Sequence, residues 1–248
     1  MSENIKEALE YAVELSRDAE PILVDDAGDE WYDANRYNMK PLESPVYLPK
    51  TMELSTLTGL VDYIKSGLNE LSEQNLIVQV AGPRLVNVYA EDECMYKKRA
   101  HLVEVSAVGL IPNLTLDYYM DQETFNIELQ SKYEDANDRN LLLEFTSKVK
   151  VESGSETTDN GVSQITTIKN GAASLTKAVV PNPVNLKPRR TFLEVEQPAS
   201  LFVFRMNKQG ELGLFEADGG AWRLEAIQNI ANYLKEQLKD HENVTILA

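Results

Sequence analysis

At 248 residues, with 43% hydrophobic and 26% charged side chains, the chain is long enough to bury a full core and too apolar for wholesale disorder. Its formal net charge of −16 argues against a surface given over wholly to nucleic acid, because phosphates are repelled, although a local basic patch stays open. The one cysteine, Cys94, leaves no intrachain disulfide and fits a reducing compartment. The acidic, periodic start MSENIKEALEYAVEL is unlike a secretory leader, and no uncharged apolar run approaches the roughly 18 residues of a membrane span. The expectation is a soluble protein of the cytoplasm.

Residues 3–19 place Ile5, Leu9, Ala12, Val13 and Ser16 on one stripe of an amphipathic helix, with Ser2 as its cap. Residues 20–50 mix acids, prolines and the aromatics Trp31, Tyr32 and Tyr37 without periodicity. Linkers are poor in such aromatics, so this stretch reads as an extended arm or as a loop packed on its own domain. Leu57, Leu60, Val61, Ile64, Leu68 and Leu71 recur at helical spacing and predict a helix over 55–71. Leu76–Ala81 and Arg84–Ala90 flank Gly82-Pro83 as a strand pair, and His101–Val108 follows as a third strand.

Asp121 opens a helix through Tyr133, and Asp138 caps a second one covering Leu141, Leu142, Phe145 and Val149. Residues 152–178 surround the alternating run Val162–Lys169 with turn signals, as expected of a projecting loop. Arg190–Glu196, Leu201–Asn207 and Leu212–Glu216 then read as strands, with the apolar run at 201–204 covered on both faces. Gly219-Gly220 launches a last helix whose stripe is Leu224, Ile227, Ile230, Ala231, Leu234 and Leu238, with Asp218 as its cap, and Val244–Leu247 forms a final short strand.

No catalytic signature stands out. His101 lies in a strand and His241 beyond the last helix, and no metal-ligand spacing of His and Cys occurs. Glu194, Glu196, Glu216 and Asp218 form a carboxylate set that would hold Mg²⁺ in a hydrolase; the plainer alternative is a solvated face opposite nearby arginines plus a helix cap. Charge is segregated along the chain. Residues 1–60 hold 13 acids against 5 bases, whereas residues 161–223 hold 5 acids against 8 bases, with Lys187, Arg189 and Arg190 clustered and Arg205 beyond them. Three readings stay open: contact within one chain, docking of the acidic arm on a neighbouring subunit, or a patch for single-stranded DNA.

The runs TDNGVSQITTIKNG, NPVNLKPRRTFLEVEQPASLFVFR and LFEADGGAWRLEAIQNIANYL, with the earlier LSTLTGLVDYIKSGLN, resemble the YfdQ-like family of phage and prophage proteins. The likeness runs from about residue 50 to about residue 240; the first 50 residues match nothing in the family. The family is one of unknown function. The resemblance therefore implies a setting, infection in the bacterial cytoplasm and outside the mature virion, with no catalytic residues or cofactor to carry over.

The combined expectation is an α+β domain over residues 51–248, a mostly antiparallel sheet flanked by helices at 55–71, 121–150 and 221–239, preceded by an arm over residues 1–50. Its expected role is that of a non-enzymatic accessory protein whose main partner is itself, in a homo-oligomeric ring or shell. A phage or host protein is a further partner, and nucleic acid a secondary one.

Overall fold

A computed structural model describes residues 3–17, 23–24, 30–31, 50–93, 99–148, 158–159, 164–170, 174–179 and 182–248. The chain divides into two units, Met1–Leu48 and Pro49–Ala248. The first holds helix α1 (Glu3–Arg17) and the antiparallel pair β1 (Leu23–Val24) and β2 (Glu30–Trp31). Tyr32 and Tyr37 lie outside the described residues, as do Cys94 and its neighbours through residue 98.

The second unit is α+β. In chain order it runs β3 (Met52–Leu54), α2 (Leu57–Lys65), β4 (Leu76–Gly82), β5 (Leu85–Glu93), β6 (Arg99–Ser106), β7 (Tyr119–Met120), α3 (Gln122–Lys132) and α4 (Arg139–Lys148). It continues with β8 (Thr158–Asp159), β9 (Gln164–Asn170), β10 (Ser174–Val179), β11 (Val184–Leu186), β12 (Ser200–Met206), β13 (Leu212–Glu216), α5 (Trp222–Gln237) and β14 (Val244–Leu247). The described strands of this unit make a five-stranded sheet in the order β14-β4-β5-β6-β3, a four-stranded sheet β11-β12-β13-β7, and a three-stranded sheet β10-β9-β8. All pairings are antiparallel except the two outer ones of the five-stranded sheet, β14 on β4 and β3 on β6.

Each of the two larger sheets buries one face under helices. Val78, Val80, Val86, Val88, Val103 and Val105 line the inner face of the five-stranded sheet and pack on Leu57, Leu60 and Ile64 of α2 and Ile230, Ala231 and Leu234 of α5. Phe202, Phe204, Met206, Leu212 and Leu214 line the four-stranded sheet and pack on Phe125 and Leu129 of α3 and Leu142 of α4. The Phe204 ring meets Phe125 and Phe145 at centroid separations of 5.5 and 6.1 Å, the tilted and edge-on geometries that aromatic pairs prefer.

Several sequence expectations change for local reasons. The helical spacing over 55–71 overshoots, because Gly67 turns left-handed at φ 67° and α2 stops at Lys65, which leaves Leu68 exposed. A bulge in β6 opposite Tyr89 reverses the side-chain parity, so His101 stacks on Tyr89 at 4.9 Å on the face away from the buried valines. Asp121 does cap α3, accepting from Thr124 N. Asp138 stands immediately before α4, where its carbonyl accepts from Leu142 N, and its carboxylate accepts from Asn185 N, closing the free edge of β11. The 201–204 run is covered on one face, with Leu201 exposed on the other. In α5 the buried stripe passes through Trp222 and Ala226, and Leu224 points outward at 73% exposure.

Candidate functional site

The expected strand Arg190–Glu196 is a turn. Residues 187–197 cross from the four-stranded sheet to the core of the other, and Phe192 and Val195 plug into that core. Gln197, itself buried, folds the turn on itself: its amide oxygen accepts from Arg190 N and Thr191 N, and its amide nitrogen donates to Phe192 O and Val195 O. The crossing is anchored to the β4–β5 turn, where Arg84 Nε donates to Arg190 O at 3.0 Å and Thr191 Oγ1 donates to Pro83 O.

At the centre of the crossing Arg190 is 1% exposed. Its guanidinium donates to Glu216 Oε1 at 2.8 Å and to Ser200 Oγ, and stands 3.9 Å from Asp218 Oδ2. One face lies 4.0 Å from the Trp222 ring centroid, a cation–π contact, and Phe202 is 5.9 Å away. Burial pulls the Arg190 pKa down to about 10, against the lift from Glu216 and Asp218, and the side chain stays charged at neutral pH. For Asp218 burial favours the neutral acid, but the Ser200 hydroxyl, Gly220 N–H and Arg190 charge outweigh it and hold its pKa below the ordinary aspartate value. Asp218 Oδ1 accepts from Gly220 N, so this carboxylate sets the Gly219-Gly220 turn ahead of α5; the N-cap position itself is Ala221.

The four bases read as a patch therefore do not form one. Arg190 is internal. Lys187 is paired with Glu196 Oε1 at 2.7 Å, and that bond, with Glu134 and Glu225 behind it, raises the lysine pKa. Arg189 is half-buried and caps the C-terminal end of α3, its backbone N–H donating to Lys132 O and its Nη1 to Ser131 O. Arg205 is half-buried in β12. The four carboxylates diverge as well. Glu194 Oε1 accepts from Leu57 N at 2.8 Å and caps α2 alongside Thr56, Glu196 takes Lys187, and Glu216 and Asp218 take Arg190. Each carboxylate that would hold Mg²⁺ already serves another group, and no cluster of three or more His, Cys, Asp or Glu side chains among the described residues is placed to share a metal ion. His241 lies half-buried beyond α5, and Trp31 sits in β2.

Two features were hidden from the sequence. One is the partnership of Trp222, Ser200 and Gln197 with Arg190, which joins the crossing to the first residues of β12 and α5. The other is an open groove of about 520 Å³ between the loop after β6 and the turn at 193. Leu110, Ile111, Pro112 and Leu193 form its apolar part, and Arg189 and Glu134 stand along it. Leu110 and Leu193 are 50% and 53% exposed.

No helix among the described residues is long and apolar enough to cross a membrane. No family model, curated protein or solved structure matches the chain.

Proposed function

We propose that this protein is a non-enzymatic, self-associating accessory protein of a phage or prophage, acting in the bacterial cytoplasm, and that α1 supplies one of its subunit contacts. The phage setting rests on the YfdQ-like sequence runs. The self-association rests on one observation: α1 is amphipathic, yet Ile5 and Leu9 are 62% and 60% exposed and Ala12 is exposed beside them. Ile5, Leu9, Ala12 and Ser16 recur at alternating steps of four and three, the spacing of a coiled-coil seam. On the outer side Lys6 and Glu10 face each other at 3.8 Å, as solvent-facing helix positions do.

A 15-residue helix is marginal alone in water, and burying one leucine or isoleucine contributes about 1.5–3 kcal/mol. Pairing α1 with α1 of a second copy satisfies both the stripe and the helix. The contact is short, so a lasting assembly draws on a further surface as well.

Light scattering of the full chain at low and high salt, with particles imaged alongside, tests this reading. The expected result is a uniform oligomer that Leu9→Glu reduces to smaller species. A monomer at every salt and concentration would sink it.

A further inference from the structure

We infer that the groove between Leu110 and Leu193 is a two-fold contact, occupied by the same groove of a second copy. The inference rests on the self-association proposed above and names its second surface. Two large apolar side chains stand half out of the surface across a concave strip floored by Ile111 and Pro112. An apolar centre with a charged margin is the anatomy of a protein contact.

The margin decides the occupant. Copies of a chain carrying a net charge of −16 repel one another, so they meet most readily where charge is locally balanced. Arg189 and Glu134 both line this groove, and just behind them Lys187 is already matched by Glu196. A strip bearing one cation and one anion is self-complementary: a two-fold rotation lays Arg189 of each copy against Glu134 of the other. A polyanion would meet Glu134 here, and a basic peptide would meet Arg189. The second copy satisfies both charges and covers both leucines.

The experiment uses the full chain and sedimentation equilibrium. Leu193→Glu changes an exposed side chain, so the circular dichroism spectrum and melting temperature should stay as in wild type while association weakens at least tenfold. Glu134→Lys should weaken it as well, because each copy would then set a cation against Arg189 of the other, and the melting temperature should again stay as in wild type. Unchanged association in Leu193→Glu overturns the inference while leaving the α1 contact standing. A monomeric wild type overturns both readings together. If wild type and Leu193→Glu chains associate with each other as tightly as wild type with itself, the groove receives a different segment of its neighbour and the two-fold assignment falls.

Discussion

Replacing Arg190 tests whether the crossing at 187–197 holds the two sheets together. In Arg190→Ala the carboxylates of Glu216 and Asp218, whose side chains are 23% and 13% exposed, lose the cation that neutralises them, and the Trp222 ring loses the guanidinium on its face. Removing one partner of a buried ion pair costs about 3–5 kcal/mol, and the cation–π contact falls within that range because the same group makes both. For a chain of this size, that corresponds to a fall in Tm of roughly 6–20 °C. Urea unfolding followed by Trp222 fluorescence in a Trp31→Phe background reads the loss directly, because the indole lies against the missing group. Arg190→Met keeps much of the volume and separates charge from packing. It should remain nearly as damaging as alanine, since the acids are still stranded. Adding Glu216→Gln and Asp218→Asn should recover most of the stability. A cost below about 1 kcal/mol for Arg190→Ala, the size of an exposed ion pair, would refute the reasoning. So would a triple variant no more stable than Arg190→Met.

Acid should act on the same network. Asp218 has a folded pKa below its ordinary value of 3.8, so its contribution is present above that pH and is lost as pH falls through the folded value. The urea midpoint should drop below about pH 4, and Asp218→Asn should flatten that part of the curve; an unchanged acid limb in the variant would count against the pairing. Gly213 in β13 has no room for a side chain, because a Cβ there would lie 2.8 Å from Tyr118 O and 3.2 Å from the rings of Phe215 and Tyr119. Gly213→Ala should therefore cost about 1–3 kcal/mol in thermal unfolding, and a neutral variant would show that the 117–119 backbone yields easily.

Periodic segments were legible in the sequence, and the charged turn was not. Leu212–Glu216 and Val244–Leu247 fall where alternation places them, because apolar residues at period two, Leu212 and Leu214 in one and Val244 and Ile246 in the other, have one consistent way to cover a face. Arg190–Glu196 alternates equally well in TFLEVEQ, but Phe192 and Val195 are three apart and both enter the core, the spacing of a turn. The alternation does not distinguish the two cases; the deciding contacts are Gln197 folding back on Arg190 N seven residues earlier and Glu194 reaching α2, 137 residues away in sequence. The basic cluster misleads for a related reason. A run of like charges reads as a patch only if its members share a face. Here Lys187, Arg189 and Arg190 alternate between a surface carboxylate, a helix end and the interior.

The buried and exposed halves of this crossing are mechanically linked. Gln197 lines the groove while its amide oxygen accepts from the backbone of Arg190, and Arg189, the cation of the groove, is the preceding residue. The guanidinium of Arg190 is held by Ser200, Glu216 and Asp218, so it fixes the backbone from which Arg189 points. A self-contact that relies on placing one cation opposite one anion needs that rigidity more than it needs a large net charge, because a misplaced arginine would meet the leucines of its neighbour. The proposed two-fold contact would give the buried arginine a second role, ordering the surface beside it as well as bridging the crossing to β13 and α5.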